Sequence, residues 1–275
     1  MSTVNQAANA DRFAEFLALH RAGTPLVLPN AWDHASAAAL VERGFPAIGT
    51  TSLGVAIAVG KPDGVGGTRE ETVRLGVGIA RLPVPISVDV EGGFAERPRD
   101  VAALGAELAR AGVAGINIED GRADGTLTDA DHQVAVIAAI KEAAPTLFVN
   151  ARTDTYWAGG AGASLDETVR RIRAYRAAGA DGVFVPGVQD ETAIETLVDA
   201  TDAPLNILYS PTGLSRARLA QLGVRRISTG SLLFRVAVQS AVDLAWAVAH
   251  DGEATAGDVP TYAQAQAMSE VYWAD

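Results

Sequence analysis

Short apolar runs of strand length recur eight times along this chain, at residues 24–30, 45–49, 84–92, 115–119, 146–152, 181–185, 203–208 and 224–229, and each is followed by helix-start and helix-stop signals. Asp33 can cap a helix running to about residue 43. Thr68 with Glu71 forms a capping box for 68–82, Pro98 opens 98–111, and Ser164 opens 164–178. Further helices are expected over 12–19, 128–144, 190–199, 214–222 and 231–250. Parallel strands with a helix between each pair must bury both faces, and eight such units close into a (β/α)8 TIM barrel. An open doubly wound sheet is the rival topology, but no Gly-x-Gly-x-x-Gly turn follows residues 24–30. Residues 1–275 therefore read as a single barrel domain, with 254–275 as an acidic C-terminal extension long enough for a helix that packs on a neighbouring subunit. Residues 50–67 form a long Gly-rich loop, expected to be a binding or lid element.

In a barrel the strand ends converge on one face, so polar residues that close successive strands become neighbours. Residues 84–92 read Val-Pro-Ile-Ser-Val-Asp-Val-Glu-Gly, and strand alternation puts Asp89 and Glu91 on one side. The same alternation sets Glu119 beside Asn117, while Asp120 points away as a structural residue. Three carboxylates this close repel unless a cation neutralises them, and oxygen ligands favour Mg²⁺ or Mn²⁺. The set Asp89, Glu91 and Glu119 is the candidate metal site.

The chain carries 33 Asp and Glu against 22 Lys and Arg, a formal charge of -11, which argues against a nucleic-acid or acidic-membrane partner. An anionic substrate then needs a local positive centre. Arg152 supplies it at the end of 146–152, where Asn150 and Asp154 share its face, and an arginine fork binds a carboxylate in bidentate fashion. The plainer alternative is that Arg152 only balances the carboxylates. Asn206 closes 203–208 and can donate to the same ligand, as can Ser52 in the loop after 45–49. With no cysteine, disulfides, zinc thiolates and thiol catalysis are excluded. No apolar stretch reaches membrane-spanning length and residues 1–12 lack a secretion signal, so a cytoplasmic protein is expected. His20, His34, His132 and His250 lack ligand spacing and read as structural or solvated, and Gly159-Gly-Ala-Gly162 reads as a mobile loop.

Six segments in order, Asn30-Ala-Trp-Asp33, Gly60-Lys-Pro-Asp63, Val88-Asp-Val-Glu91, Gly115-Ile-Asn-Ile-Glu-Asp120, Ala151-Arg-Thr-Asp154 and Ala177-Ala-Gly-Ala-Asp181, resemble the successive motifs of the isocitrate lyase and phosphoenolpyruvate mutase superfamily. The resemblance spans roughly residues 12–250 and implies a (β/α)8 barrel with its last helix exchanged between subunits, hence a homodimer or homotetramer. It also implies a small carboxylate substrate, a 2-oxo acid bound through Mg²⁺, and chemistry through an enolate. By the same resemblance Asp89, Glu91 and Glu119 support the metal, with Glu91 replacing the usual Asp. Asp63 is the acid of the gating loop, Arg152 the carboxylate clamp, Ser52 the hydroxyl that meets the oxo acid, and Asn206 the amide that binds the leaving portion. The departures bear on substrate. Residues 121–127 replace the Lys-Lys/Arg-Cys-Gly-His loop of isocitrate and methylisocitrate lyases, Thr50 and Leu53 replace an aromatic and a glycine, and Val185-Pro-Gly187 stands where many members carry a glutamate. Three functions follow: a Mg²⁺-dependent lyase or decarboxylase of a small 2-oxo or 2-hydroxy acid, a P–C bond mutase or hydrolase, or a catalytically silent oxo-acid-binding barrel.

Overall fold

The structure, a computed structural model, describes residues 3–157, 164–253 and 257–273. The chain opens with α1 (Thr3–Arg21), followed by β1 (Leu26–Leu28) and β2 (Asn30–Ala31), α2 (His34–Glu42), β3 (Ile48–Thr50), α3 (Ser52–Ala58) and α4 (Arg69–Ile79). Then come β4 (Ile86–Asp89), α5 (Pro98–Arg110), β5 (Gly115–Glu119), α6 (Ala130–Ala143), β6 (Phe148–Arg152), α7 (Leu165–Ala177), β7 (Gly182–Phe184) and α8 (Glu191–Asp199). The chain continues with β8 (Leu205–Leu208), α9 (Arg216–Gln221), β9 (Arg226–Ser228), α10 (Leu232–Ala249), α11 (Tyr262–Ala267) and α12 (Glu270–Trp273).

Every strand pairing is parallel, in the order β1-β9-β8-β7-β6-β5-β4-β3-β2. The two outermost strands of that order are successive parts of one expected run, split at Pro29, so the sheet curls into a (β/α)8 barrel. Proline has no N–H for the ladder, and Asn30 bridges the gap instead. Its Oδ1 accepts from the N–H groups of Thr229 and Gly230, both at 2.9 Å, and its Nδ2 donates to the Thr50 carbonyl at 2.7 Å.

Strand alternation separates two environments. Ile86, Val88, Ile116, Ile118, Val149 and Ala151 are buried and pack outward, in one cluster with Leu104, Leu108 and Ile140 of the helices. The inward positions Asn117, Asn150, Asn206, Arg226 and Ser228 are buried and polar, and hydrogen bonds among them fill the barrel. Helix α1 closes the end of the barrel away from the strand C-termini: Phe16 is buried against Phe148, and Arg12 Nη1 donates to the Ala80 carbonyl at 2.8 Å.

Several expectations change. The loop after β3 contains α3, and Thr68 precedes α4 but its hydroxyl makes no cap bond. Glu71, expected to close a capping box, instead pairs with Lys61 at 2.6 Å. Strand β4 ends at Asp89, three residues earlier than the apolar pattern implies. Helix α10 is 18 residues long with a mean hydropathy of 1.5 and charges only at Arg235 and Asp243, so one stretch does reach spanning length by size and composition. It leaves Val238, Val242 and Trp246 exposed. The C-terminal segment turns back onto its own barrel, where Tyr272 Oη donates to the His34 carbonyl at 2.8 Å and Arg81 donates to the Tyr272 carbonyl at 3.0 Å. The glycine run 159–162 lies outside the described residues.

Candidate active site

Three adjacent strands deliver most of the site. The register places Asp89 beside Asn117 and Asn117 beside Asn150, and one step further along Glu119 beside Arg152. Asp89 is nearly buried. Its N–H donates to Thr50 Oγ1 at 2.9 Å, and its Oδ2 accepts from the Ser52 N–H at 3.3 Å. Burial raises its carboxyl above the usual range, against the pull of Arg152.

Arg152 stands at the centre of an acidic ring. Its Nε and Nη2 donate to the two oxygens of Asp154 at 2.6 and 2.9 Å, and its Nη1 lies 2.6 Å from Glu119 Oε2. Burial alone would lower the guanidinium's pKa, but Glu119 and Asp154 outweigh it and keep Arg152 charged. The acids outnumber it. Glu119 is pushed up to about 8 by burial and by Asp89, Asp154 and Asp63, with Arg152 opposing, while burial also raises Asp154. The contact of Glu119 Oε2 with Arg152 is an ion pair without hydrogen-bond geometry, so this oxygen and Asp63 Oδ1 are buried with no donor.

Ser52, Asp63, Asp89, Asn117 and Arg152 are among the polar residues that line a pocket of about 100 Å³. Leu53, Trp157, Phe184, Pro186 and Leu208 form its apolar wall. Glu119 faces the neighbouring cavity of about 500 Å³, together with Glu91 and His132. A cavity of about 410 Å³ lies at the opposite end of the barrel against His20 and Arg225, away from the converging acids; the pocket of about 100 Å³ and its neighbour instead lie at the strand C-termini, the end where barrels of this kind carry their chemistry.

Two expected site residues are elsewhere occupied. Glu91 lies beyond β4 with φ +49, so alternation no longer aligns it with Asp89. Its Oε1 accepts from Thr68 Oγ1 at 2.7 Å and its Oε2 from the Gly66 N–H at 2.9 Å, which latches the loop before α4 to the barrel. Asn206 lies inside β8, fully buried, and its amide is spent on Ser228 Oγ at 2.9 and 3.0 Å. The strand continues two residues past it, which moves Leu208 to the pocket in its place. The remaining residues, Ser52, Asp63, Asp89, Glu119 and Arg152, do gather at one end of the barrel. Sequence reasoning did not single out Arg226, one of two successive arginines at the start of the run 224–229; only the direction of β9 shows that it is buried inside the barrel.

With this geometry in place, residues 16–249 match the phosphoenolpyruvate phosphomutase family. The chain belongs to that family. Its members, and those of the wider isocitrate lyase superfamily, are carbon–carbon lyases and phosphonomutases. An uncharacterized protein of Mycobacterium tuberculosis is 45% identical over 249 residues, covering 90% of this chain and 93% of its own. A crystal structure assigned as a phosphonomutase of Burkholderia cenocepacia J2315 superposes with a TM-score of 0.81 at 38% identity, covering 89% of this chain and 100% of that one. An oxaloacetate decarboxylase of Ectopseudomonas mendocina is 36% identical over 186 residues, which span 63% of this chain and 61% of the decarboxylase.

Among the described residues no three His, Asp or Glu side chains converge closely enough to ligate a metal directly. The donor set nevertheless suits a hard divalent cation held partly through water. Asp89 is raised by burial and by Asp63, Glu119 by burial and by Asp89, Asp154 and Asp63, and an oxygen each of Glu119 and Asp63 lacks a donor. A surplus of buried negative oxygen is what Mg²⁺ or Mn²⁺ relieves.

Proposed function

We propose that the chain cleaves a carbon–carbon bond in a small 2-oxo or 2-hydroxy carboxylic acid, with decarboxylation of an oxaloacetate-like diacid as its reaction. The observation that carries this is the ring of acids around Arg152, the single cation lining the pocket among the described residues. A guanidinium has five N–H donors, and three nitrogens facing Glu119 and Asp154 leave two hydrogens for a substrate carboxylate. The Ser52 hydroxyl lines the same pocket and donates to the other end of the oxo-carboxylate.

Asp89 and Glu119 would hold Mg²⁺ or Mn²⁺, with Asp63 reaching it through water. When bound, the ion supplies Lewis-acid stabilisation of the charge that develops on the substrate's oxo oxygen. The chain provides the rest. The leaving carboxylate lies against Leu53, Phe184, Pro186 and Leu208, where no cation holds it and loss of water favours neutral CO2. Asp63, carried by the loop before α4, is the acid placed to return a proton to the enolate carbon. Retro-aldol cleavage in the cysteine-bearing relatives needs a thiol acid, and this chain has none. The similarity to oxaloacetate decarboxylase supports the same reading.

The second reading is P–C bond chemistry, favoured by the family match and the Burkholderia neighbour. A phosphoryl group draws on several cations, and Lys61, in the loop that carries Asp63, is already paired with Glu71. The test is turnover of oxaloacetate, phosphonopyruvate and methylisocitrate, each with Mg²⁺ and with chelator. Pyruvate and CO2 from oxaloacetate, lost on chelation, is the expected result; turnover of phosphonopyruvate alone would select the second reading. No turnover combined with binding of oxalate would identify a silent oxo-acid-binding barrel. The exposed apolar face of α10 supports assembly with a second copy of the chain, and the formal charge of -11 supports a cytoplasmic protein without a nucleic-acid or acidic-membrane partner.

A further inference from the structure

The barrel interior holds an arginine for which the proposed chemistry gives no use. Arg226 opens β9 and is completely buried below the pocket. Its Nη2 donates to Asn117 Oδ1 at 3.1 Å and its Nε to Ser228 Oγ at 3.2 Å, while Nη1 has no partner. No carboxylate forms an ion pair with it among the described residues. Burying a guanidinium on neutral partners is costly, so the fold keeps it against a stability gradient.

What Arg226 controls is an amide. A guanidinium can only donate, so the Asn117 atom facing it must be the carbonyl oxygen. Asn150 Nδ2 donates to the same oxygen at 2.8 Å. Two donors on one oxygen fix which way round the amide lies, a choice usually open for asparagine. The NH2 group is then left with no acceptor in the described chain, and Asn117 lines the pocket beside Asp89 and Arg152. Without Arg226 the amide could turn over and present its oxygen to an anion.

We propose that Asn117 donates an N–H to an oxygen of the bound oxo acid on which negative charge develops, and that Arg226 is the positioning residue that holds the amide in that orientation. The proposal rests on the reading of the pocket as an oxo-acid site. A donor fixed before the substrate arrives needs no reorganisation when charge develops, which is where electrostatic stabilisation is largest.

The test is calorimetric titration of oxalate, a planar enolate mimic, with Mg²⁺ present. The proteins are wild type, Arg152→Ala, Asn117→Ala, Arg226→Met and the double variant Asn117→Ala/Arg226→Met, with folding of each checked by its thermal transition. Asn117→Ala should weaken oxalate about tenfold, and Arg226→Met by a similar factor. Since Arg226 acts through Asn117, the double variant should be no weaker than Asn117→Ala. Arg226→Gln, which keeps an N–H donor without the charge, should recover much of the affinity, and it also serves should Arg226→Met fail to fold. A merely structural arginine would lower the melting temperature and leave the affinity of the folded protein unchanged. Unaltered affinity in Asn117→Ala, alongside loss in Arg152→Ala, would overturn this proposal alone. Additive losses in the double variant would remove Arg226 as the positioning residue, and failure of the wild type to bind oxalate would overturn both this proposal and the oxo-acid reading.

Discussion

Glu119 and Asp120 are adjacent in sequence, yet the barrel treats them in opposite ways. Asp120 is completely buried and every bond it needs is made: Oδ2 accepts from Arg171 Nη1 at 2.9 Å and Tyr175 Oη at 2.6 Å, and Oδ1 accepts from the Asp154 N–H at 2.9 Å. Arg171 is held in turn by Glu167, Tyr175 and the Thr128 carbonyl. Glu119, on the other face, shares one guanidinium with Asp154 and keeps an oxygen without a donor. The backbone beneath both is packed so closely that a side chain at Gly121 would run into the Asp154 carboxylate. A buried charge with its full complement of partners holds the fold together, and one left short of partners is a place where a ligand binds.

The largest expected effect tests the satisfied side. Asp120→Ala should cost about 3–5 kcal/mol in urea unfolding, since it removes the buried carboxylate that Arg171, Tyr175 and the Asp154 N–H share. A loss below about 1 kcal/mol would show that the network is dispensable and the contrast empty. Glu119→Gln tests the other side and should have the opposite sign. Because burial pushes the folded carboxyl up to about 8, against an ordinary 4.5, folding disfavours its ionised form. That penalty is absent below about pH 4.5 and complete above about pH 8. The metal-free variant should therefore be more stable than wild type by roughly 1–3 kcal/mol at pH 8.5 and equal to it near pH 4.5. Mg²⁺ should stabilise the wild type at pH 8.5 more than the variant; a pH-independent difference would place Glu119 with the structural acids. The smallest effect concerns Glu91, whose partners belong to a loop. Thr68→Val should lower global stability by only about 1 kcal/mol while speeding amide exchange at Gly66, whose N–H depends on the same carboxylate. Unchanged exchange at Gly66 would mean that Glu91 does not latch the loop.

Much of the fold was legible because burial on both sheet faces leaves a local mark. The strand 115–119 has the bounds expected, and the helices after Asp33, Pro98 and Ser164 start where their caps imply. Strand ends were less legible, because an apolar run such as 84–92 continues after the backbone has left the sheet. Glu91 was misplaced for that reason and lies past its strand, whereas β8 ends at Leu208 as its run implies and Asn206 simply sits two residues inside it. Asp63, Asp89 and Arg152 share a pocket, with Glu119 against Arg152, because the barrel topology brings strand ends and their loops together.

By itself, the sequence determined the barrel, the family and the surplus of acids at one end, since each follows from periodicity, motif order and composition along the chain. Only the tertiary structure decided which acids are satisfied. Whether Glu91 serves a loop, Asp120 an arginine, or Asn117 a fixed donor depends on distances of a few ångströms between residues as much as 109 positions apart, Asn117 and Arg226, and such pairings leave no local pattern to read.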